Sequence, residues 1–538
     1  MKIVCLVKQV PQPGAIEFDE ETKTLKREGV PLELNPFDRY AVQHAVALRE
    51  QVGGEVVAMT MGPPQAEDAL REALSLGADR AILLSDRVFA VADTLGTSRT
   101  LALALQKEGF DLVLCGKNTI DSETWQVPPE VAAFLDVPHL TNAIALEPGL
   151  RVTREADDAE EVWNVPTPAL VSVATPPDVA VQRGTATSVT TWGALDLVDE
   201  VYEYDKRFGQ TGSPTRVLAV RDVTPERAQF RADSVDTAVA KAHELLEERP
   251  AQTQPWEKPG DIAEQPATRY DCWTLIEMRN GGATRTSLEL LARARQLAGK
   301  LGGKTVALVL GDGAADLGRH GAEIVHRAVF DGDPADALRS VIERHKPHVL
   351  LIPATAWGRT VGPRAAGELG LGMTGDCVGV DIAKAGRLLQ QKPAYGGNIV
   401  SVIMGATTPQ LATVRPRMYE PLEPLDAQAE ETTERIELPQ PRLTLVERRP
   451  YETPGWTIEE ANTVVVRGDE PPHLRVGLLG RTVAPRLLVA VGLEGTVEQL
   501  SGFVKAAVIV SVRGGKGMNE RADVIFDGDE RELLNALE

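Results

Sequence analysis

Cysteine is scarce in this chain, which has only four cysteines in 538 residues. Cys5, Cys115, Cys272 and Cys377 lie far apart and form no CxxC pair, which argues against a cysteine metal site or a disulfide framework. Cys5 and Cys115 lie within apolar runs typical of buried strands, so we expect reduced thiols in a hydrophobic core. The eight histidines are scattered without an HExxH pattern, so their spacing predicts no metal site.

Positive charge and long apolar runs are also in short supply. Against 78 acidic residues stand 57 Lys and Arg, for a net charge of -21. Nucleic acids and anionic membranes require a basic face, so the charge argues against both as partners. No apolar run approaches the roughly 18 residues of a membrane span, and the first ten residues become polar too soon for a signal peptide. The sequence predicts a soluble, cytoplasmic protein without an integral membrane segment.

What the chain does contain is a regular alternation of strands and helices. A chain of this length exceeds one hydrophobic core, and two to four domains are expected. In the first half, the alternation predicts a parallel, doubly wound sheet. The predicted strands are 2–7, 55–61, 80–84 and 112–115; the predicted helices are 39–51, 66–76, 90–107 and 130–135. Asn35 is the predicted N-cap of the first helix, and further strands are expected between 143 and 173.

The pattern restarts after a tract rich in Pro, Gln and Glu at 249–267, which predicts an interdomain linker. The segment 347–369 repeats the order found in 111–138: apolar strand, small residue, hydroxyl-bearing loop with Trp, proline and helix. The two halves are therefore predicted to be divergent copies of one α/β unit. A polar tract at 428–451 separates a last segment, whose predicted elements are strands 463–466, 487–491 and 507–512 and helix 496–503.

The stretch from Asp111 to Pro138 has the strongest functional pattern. A strand ends at Cys115 and a helix is predicted from Glu130; the loop between them contains a lysine, hydroxyl residues and acids. Nucleotide phosphates bind at such loops, where backbone N–H groups and the helix dipole favour an anion. An ordinary polar loop with Thr or Ser caps would show the same pattern, so both interpretations stay open.

Several motifs point to one family. In the first half they are Val7-Lys8-Gln9-Val10, Leu34-Asn35-Pro36-Phe37-Asp38, Met61-Gly62-Pro63, Leu76-Gly77-Ala78-Asp79-Arg80 and Cys115-Gly116-Lys117-Asn118-Thr119-Ile120-Asp121. In the second half they are Lys392-Pro393-Ala394-Tyr395-Gly396-Gly397-Asn398, Ala412-Thr413-Val414-Arg415-Pro416, Gly480-Arg481-Thr482-Val483-Ala484-Pro485 and Ala490-Val491-Gly492-Leu493-Glu494-Gly495. The first half resembles the β subunit of electron transfer flavoproteins and the second half resembles the α subunit, as if the two were fused in one chain.

The resemblance implies three domains. They are a β-subunit-like domain at 1–248, an α/β domain at 268–425 and a shortened FAD-binding domain at 426–538, with the linker between the first two. Two similar doubly wound units of the adenine nucleotide alpha hydrolase-like class and a C-terminal flavodoxin-like domain are implied. The implied function is an electron carrier with no catalytic residues of its own, which passes electrons from a dehydrogenase to an acceptor through FAD and holds a structural AMP.

The same resemblance assigns the cofactor contacts. The AMP contacts are Leu6, Asn35, Met61, Gly116, Lys117, Asn118, Thr119, Ile120, Asp121, Thr124, Gln126 and Val127. The FAD contacts are Gly477, Gly480, Arg481, Thr482, Val483, Pro485, Gly492, Gly495, Gln499, Arg513 and Asp523.

The FAD domain departs from the family pattern. Val466 is followed almost at once by Leu474, without the family's segment that carries an arginine over the flavin. Leu478-Leu479 replaces two polar residues, and Glu494 replaces a serine near the diphosphate, where a carboxylate is repulsive. The glycine-rich loop 513–517 is either a phosphate cradle or a surface turn. These departures leave FAD binding in question.

Two other functions are therefore considered beside the electron carrier. One is a degenerate paralogue that binds AMP, or acts structurally, without flavin. The other is an adenylating enzyme, and the missing SGGxDS signature argues against it. The region expected to dock the dehydrogenase, 181–194, has Thr187 near the family's apolar anchor, so Val189 or Trp192 would have to replace that anchor.

Overall fold

The structure is a computed structural model. It describes residues 1–12, 17–19, 24–26, 29–178, 183–198, 207–223, 226–249, 270–313, 316–383, 386–394, 397, 399–452, 457–470, 474–503 and 505–537. Apart from Arg249, the predicted linker lies outside the described residues, and so do Tyr395, Gly396 and Asn398 of one motif.

The first half is built on a ten-stranded sheet, here called the first sheet. In spatial order its strands are Val189–Trp192, Arg80–Leu84, Glu55–Met61, Lys2–Leu6, Leu112–Gly116, Ala169–Val173, His139–Glu147, Arg151–Glu155, Ala159–Asn164 and Thr444–Pro450. The first seven are parallel and the last three are antiparallel additions at one edge. Its helices are Pro36–Val52, Glu67–Ser75, Thr94–Glu108 and Val127–Leu135.

Both faces of the first sheet are covered, which explains the continuous apolar runs of its central strands. In the strand Lys2–Leu6, Ile3 and Cys5 belong to one hydrophobic core, while Val4 and Leu6 belong to the core on the opposite face. This is the alternation of side chains expected in a strand. All four cysteines are buried, and the burial of Cys5 and Cys115 agrees with the prediction from their apolar runs.

A seven-stranded parallel sheet, the second sheet, repeats this arrangement. Its strands are Glu430–Ile436, Ile324–Phe330, Thr305–Leu310, Cys272–Ile276, Val349–Pro353, Gln410–Val414 and Met373–Cys377. Its helices are Arg285–Leu301, Pro334–His345 and Gly358–Leu369. Numbered along the chain within each unit, the seven parallel strands of both sheets have the same spatial order, 7-3-2-1-4-6-5. The predicted duplication is therefore present in the strand order.

Two smaller sheets join the halves. A four-stranded antiparallel sheet contains Thr215–Asp222, Ile399–Gly405, Leu388–Ala394 and Gly379–Ile382. A five-stranded parallel sheet, the C-terminal sheet, contains Phe230–Ala232, Val524–Phe526, Val508–Val512, Leu487–Val491 and Thr463–Val466. The helices near the C-terminal sheet are Val235–Glu248, Val497–Leu500, Lys516–Glu520 and Glu530–Leu537. The strands Thr215–Asp222 and Phe230–Ala232 thus pair with strands of the second half, and the predicted domain bounds stay a prediction.

The remaining described strands form three short antiparallel pairs. They are Gln9–Pro11 with Leu32–Leu34, Glu17–Asp19 with Thr24–Lys26, and Met278–Arg279 with Gly282–Ala283. Across the parts of the chain that the structure describes, no helix combines the length and apolar character needed to cross a bilayer.

Candidate functional site

The predicted nucleotide loop begins where three neighbouring strands end. Leu6, Met61 and Gly116 are the last residues of adjacent parallel strands in the first sheet. Gly116 lies directly against the first helix: a Cβ there would come within 2.6 Å of Phe37 Cβ and of Asp38 Oδ1. Only glycine allows such a close approach, so the start of the loop lies directly against the helix Pro36–Val52.

Asp38 and Asn35 hold this loop in place. The buried Asp38 carboxylate accepts hydrogen bonds from the N–H groups of Gly116 (2.9 Å) and Lys8 (2.8 Å), and its burial raises the pKa of Asp38 to about 7. Asn35 Nδ2 donates to the Asn118 carbonyl at 3.0 Å, and its Oδ1 accepts from the Ile120 N–H at 3.3 Å.

Asn35 precedes the helix Pro36–Val52 as predicted, but its side chain makes no capping hydrogen bond. Asn35 is therefore the N-cap by position, as predicted, while its side chain serves another role. The Asn35 amide instead bonds to the loop, and the Asp38 N–H donates to the Asn35 carbonyl at 3.0 Å.

The loop, rather than the following helix, presents backbone donors. Within the described residues, the N–H groups of Asp121, Ser122, Thr124 and Trp125 have no hydrogen-bond acceptor. The helix Val127–Leu135 has prolines at its second and third positions, which lack N–H groups. The helix N-terminus therefore contributes fewer anion-binding donors than the sequence pattern suggests.

A cavity of about 60 Å³ lies beside this loop, and its walls come from three parts of the chain. The nucleotide loop contributes Lys117 and Trp125, the second unit contributes Arg359, and the C-terminal segment contributes Arg481. The space holds only a few water molecules, so a whole nucleotide would have to displace side chains that now line it.

At one wall of the cavity, two cationic side chains lie over aromatic rings. Lys117 Nζ lies 5.0 Å from the centre of the Phe37 ring and 5.3 Å from that of Trp125, and the Arg359 guanidinium lies 4.4 Å from the Trp125 ring. Burial lowers the pKa of Lys117 to about 8. No hydrogen bond to the Lys117 ammonium occurs in the part of the chain that the structure describes, so this cation remains available to an anion.

An ion network crosses from the first half to the second beneath this wall. Asp376 accepts from Arg359 at 2.8 and 2.7 Å and from Arg415 at 3.1 Å, and Arg415 also binds Glu123 at 2.7 Å. Although burial opposes the charged form, the two arginines hold the pKa of Asp376 below its usual value. Gln126 adds a further bond across the halves, from Nε2 to the Met373 carbonyl at 3.0 Å.

Four residues that line the cavity have left-handed backbone conformations. The φ angles are 47° at Glu123, 62° at Trp125, 58° at Asn142 and 57° at Asp376. Such angles are uncommon outside glycine and are costly for a bulky side chain such as Trp. The concentration of this strain around one cavity is typical of a functional site.

Three oxygens of the lining side chains are buried without a partner. They are Asn118 Oδ1, Asn142 Oδ1 and Glu459 Oε2, none of which has a hydrogen bond among the described residues. An unsatisfied buried polar group costs about 1–3 kcal/mol, so a bound ligand or water that supplies donors here would be stabilised.

The predicted FAD contacts fall into two groups. Gly480, Arg481 and Thr482 line the cavity, and Arg481 Nη1 donates to Glu459 Oε1 at 2.8 Å. Gly477 and Val483 lie beside this turn, where the Gly477 N–H donates to the Arg481 carbonyl at 3.1 Å. This group therefore joins the nucleotide loop at one site.

The second group is bonded within the C-terminal sheet and its loops. Gln499 Oε1 accepts from the N–H groups of Gly495 (2.9 Å), a predicted FAD contact, and of its neighbour Thr496 (3.2 Å). Arg513 pairs with Glu530 at 3.0 Å. The other members are Pro485 and Asp523, which are buried, and Gly492, with a φ of 66°.

The glycine-rich loop 513–517 packs against the turn around Glu494. The Gly515 N–H donates to the Leu493 carbonyl at 2.9 Å, and the Met518 N–H donates to the Glu494 carbonyl at 3.2 Å. Lys516 points to solvent with 92% of its side chain exposed. These bonds favour a packed turn over an open phosphate cradle.

The sequence patterns did not identify several residues of the site. Arg359 lies in the loop that repeats the nucleotide loop, and that repeat is the signal that points to it. Asp157 had no such signal: its carboxylate accepts from the N–H groups of Ala356 (2.9 Å) and Trp357 (3.2 Å), just before the helix Gly358–Leu369. The carboxylate of Asp157, from the first half, thus lies at the start of a helix of the second unit, where a phosphate would be expected to bind.

Comparison with known proteins identifies relatives. Residues 22–196 and 272–441 match the family described as "Electron transfer flavoprotein domain". The chain is 40% identical over 257 residues to the electron transfer flavoprotein subunit beta of Thermoanaerobacterium thermosaccharolyticum, across 46% of this chain and 99% of that protein. It is 38% identical over 269 residues to the protein FixA of Azorhizobium caulinodans, across 46% of this chain and 93% of that protein. It is 44% identical over 177 residues to the caffeyl-CoA reductase-Etf complex subunit CarD of Acetobacterium woodii, across 32% of this chain and 68% of that protein.

Proposed function

Because the chain belongs to the electron transfer flavoprotein domain family, we propose that it is an electron carrier in which a β-like and an α-like half are fused and which holds FAD and AMP. The observation that carries this proposal is the cavity to which three parts of the chain contribute: Trp125, Arg359 and Arg481 come from different parts of the sequence. When bound, FAD supplies a ring that accepts and donates electrons, and the protein supplies its placement and its electrostatic surroundings.

The residues of the nucleotide loop fit the anionic end of AMP. The loop offers the N–H groups of Asp121, Ser122, Thr124 and Trp125 without acceptors in the described structure, and the buried Lys117 ammonium lies nearby without a hydrogen bond. An anion at this position would satisfy those donors and stabilise the charged form of Lys117. Asn35 and Asp38 then act as positioning residues that hold the loop.

The residues assigned to FAD fit the ring end better than the diphosphate end. Near the proposed position of the flavin ring, Arg481 and Arg359 place positive charge beside the cavity. This charge favours the reduced flavin, which is more negative than the oxidised flavin. At the diphosphate end, the Gly495 and Thr496 donors are bonded to Gln499, whose side chain would have to rotate away. This observation favours a second candidate function: a paralogue that binds AMP, or acts structurally, without flavin.

The finer assignment of fold and domains rests on the same relationship. We assign the adenine nucleotide alpha hydrolase-like class to the two seven-strand parallel units, because they share one strand order. We assign the flavodoxin-like class to the C-terminal sheet, which is parallel throughout. The bounds proposed for the three domains are 1–248, 268–425 and 426–538.

The proposed partners are a dehydrogenase that donates electrons and an acceptor protein. Thr187, at the expected docking anchor, is exposed. Val189 and Trp192 are half-buried on an edge strand, and Trp192 is covered by Lys107 at 4.8 Å. Neither of these apolar side chains projects as an anchor, which supports a partner different from the acyl-CoA dehydrogenases of the family.

Release of nucleotides from gently purified, denatured protein tests the proposal. We expect FAD and AMP in the released fraction, identified by chromatography, and a flavin absorption band before denaturation. The double variant Asp121→Ala with Thr124→Ala should release less AMP, since both residues belong to the proposed loop. The matched control is Glu67→Ala, which removes only an exposed pair with Arg71 and should leave the nucleotide content unchanged.

The outcome also separates the two candidate functions. Protein that releases AMP but no flavin, and whose stripped form shows no saturable FAD binding at high micromolar concentration, contradicts the electron carrier and supports the paralogue. Protein that releases no adenine nucleotide contradicts the assignment of the loop itself.

A further inference from the structure

Two histidines and a glutamate meet at one edge of the second sheet, outside the cavity described above. His326 lies on the strand Ile324–Phe330, His345 ends the helix Pro334–His345, and Glu434 lies on the edge strand Glu430–Ile436. One donor atom from each side chain lies within 4.8 Å of the other two. The residues are 19 and 89 positions apart, so the sequence spacing that predicted no metal site could not reveal them.

The contacts of His326 place its Nε2 atom against the carboxylate of Glu434. Thr432 Oγ1 lies 2.8 Å from His326 Nδ1, and Nε2 lies 2.8 Å from Glu434 Oε1. In the neutral ring with the proton on Nε2, these contacts are ordinary hydrogen bonds. With the proton on Nδ1, the Nε2 lone pair and the carboxylate oxygen are two acceptors that a metal ion can bridge.

The same carboxylate oxygen is shared with a second imidazole. His345 Nε2 lies 2.9 Å from Glu434 Oε1. Two imidazole nitrogens and one carboxylate oxygen are the donor set of many zinc sites with three protein ligands and a water in the fourth position. Tetrahedral ligands at zinc lie about 3.4 Å apart, so the donor atoms need only small side-chain rotations to admit the ion.

We propose that His326 Nε2, His345 Nε2 and Glu434 Oε1 form a binding site for one Zn²⁺ ion. The surrounding residues orient these ligands as outer-shell partners do in zinc proteins. Thr432 fixes the His326 ring, and Arg344 Nη1 holds the other carboxylate oxygen of Glu434 at 2.8 Å. Trp273 packs against both imidazoles, with ring centres 5.6 Å apart in each case.

The site is reachable and joins separate elements. The side chain of His345 is 35% exposed, which gives the ion a path from solvent. Glu434 lies on the segment that continues from the second sheet into Thr444–Pro450 of the first sheet. A zinc ion here fastens this connecting segment to the sheet and to a helix, and we expect it to raise the unfolding temperature.

Calorimetric titration of the untagged, chelator-treated full chain with ZnCl₂ tests the proposal. We expect one saturable site, an increase in unfolding temperature with zinc, and weaker binding in more acidic solution, where protons compete with the metal ion for its ligands. His345→Asn should weaken binding at least tenfold; because His345 is partly exposed at a helix end, this variant should fold. Glu434→Gln should weaken binding by a similar factor.

The control is His243→Asn, an exposed histidine on the helix Val235–Glu248, which should leave zinc affinity unchanged. The absence of saturable binding, or equal affinity in wild type and His345→Asn, would overturn the proposal. In the first case His326 donates an ordinary Nε2–H hydrogen bond to Glu434, which nuclear magnetic resonance of the histidine rings would detect.

Discussion

At the scale of single residues, Lys117 is the clearest mark of an anion site. A lysine at 9% exposure is rare without a partner, and this one is covered by the rings of Phe37 and Trp125. Burial lowers the pKa of Lys117 from 10.5 to about 8, because the charged form loses its hydration. The fold therefore retains a side chain that destabilises the empty protein, as expected where a ligand supplies the missing charge.

The lost hydration of the Lys117 ammonium predicts that the free energy of unfolding depends on pH. Between about pH 8 and 10.5 the folded protein binds fewer protons at Lys117 than the unfolded chain, so stability rises with pH across this window. Because the shift corresponds to about 3 kcal/mol, Lys117→Met should lose about that much of the rise. Denaturant unfolding of nucleotide-free protein at pH 7.5 and pH 10 measures the difference. Lys516→Met, at an exposed lysine, should keep the wild-type rise; equal rises in all three proteins would contradict the buried, unpaired state of Lys117.

Among the secondary-structure elements, two equivalent helices bring the halves together. The helix Val127–Leu135 of the first unit packs against Gly358–Leu369 of the second, with Gly367 at the closest approach. A Cβ at Gly367 would lie 3.0 Å from Ala133 Cβ and 3.1 Å from Glu130 Cα. The glycine is therefore required by the packing of the two helices rather than by its own backbone angles.

A pair of matched glycine substitutions tests this packing. Gly367→Ala should destabilise the protein by about 1–3 kcal/mol, because the added methyl group forces the helices apart. Gly299→Ala, in the helix Arg285–Leu301, has no atom within 4 Å of the new Cβ and should stabilise by about 0.5–1 kcal/mol through helix propensity. Thermal unfolding of both variants gives the comparison. A stabilising Gly367→Ala would show that the two helices are less tightly packed than their geometry indicates.

Elements with continuous apolar runs were predictable, and edge strands were not. The strands Glu55–Met61, Arg80–Leu84 and Leu487–Val491 have the predicted bounds, because burial on both faces selects uninterrupted apolar residues. The tract 428–451 contains two edge strands, although the sequence predicted only a polar separator. The strand Thr444–Pro450 is exposed throughout, and its partner Ala159–Asn164 is far away in the sequence. Charge pairs such as Arg449 with Glu160 at 3.1 Å join them, and such pairs leave no apolar periodicity to detect.

The candidate site was predictable to the extent that it lies in one loop. Lys117 was indicated by the pattern of the strand, loop and helix, and Asn118 and Arg481 by the resemblance. A residue that reaches the site from a distant part of the chain, such as Asp157, carries no local signal, since its role arises only when the two units come together.

In the molecule as a whole, Asp523 connects the first half to the C-terminal sheet. Its carboxylate is fully buried and accepts from Arg227 at 2.9 Å and from Arg249 at 2.8 Å. It also accepts from the N–H groups of Ala228 (3.1 Å) and Ile509 (2.9 Å). These bonds connect the segment with the strand Phe230–Ala232 and the helix Val235–Glu248 to a domain nearly 300 residues away in the sequence. We infer that the main role of Asp523 is this structural connection.

Asp523→Asn therefore should loosen the whole assembly. The amide leaves two arginines without a counter-charge and turns a donor toward the Ile509 N–H, so we expect a loss of about 3–5 kcal/mol. Hydrogen exchange should become faster at 226–249, even in protein without bound nucleotide. The control is Asp527→Asn, because Asp527 pairs with Arg231 of the same segment at 2.8 Å but is 62% exposed; it should cost less than about 1 kcal/mol. If Asp523→Asn left exchange at 226–249 unchanged and only weakened FAD binding, Asp523 would be a ligand contact, as the family resemblance implies, and the structural role would be wrong.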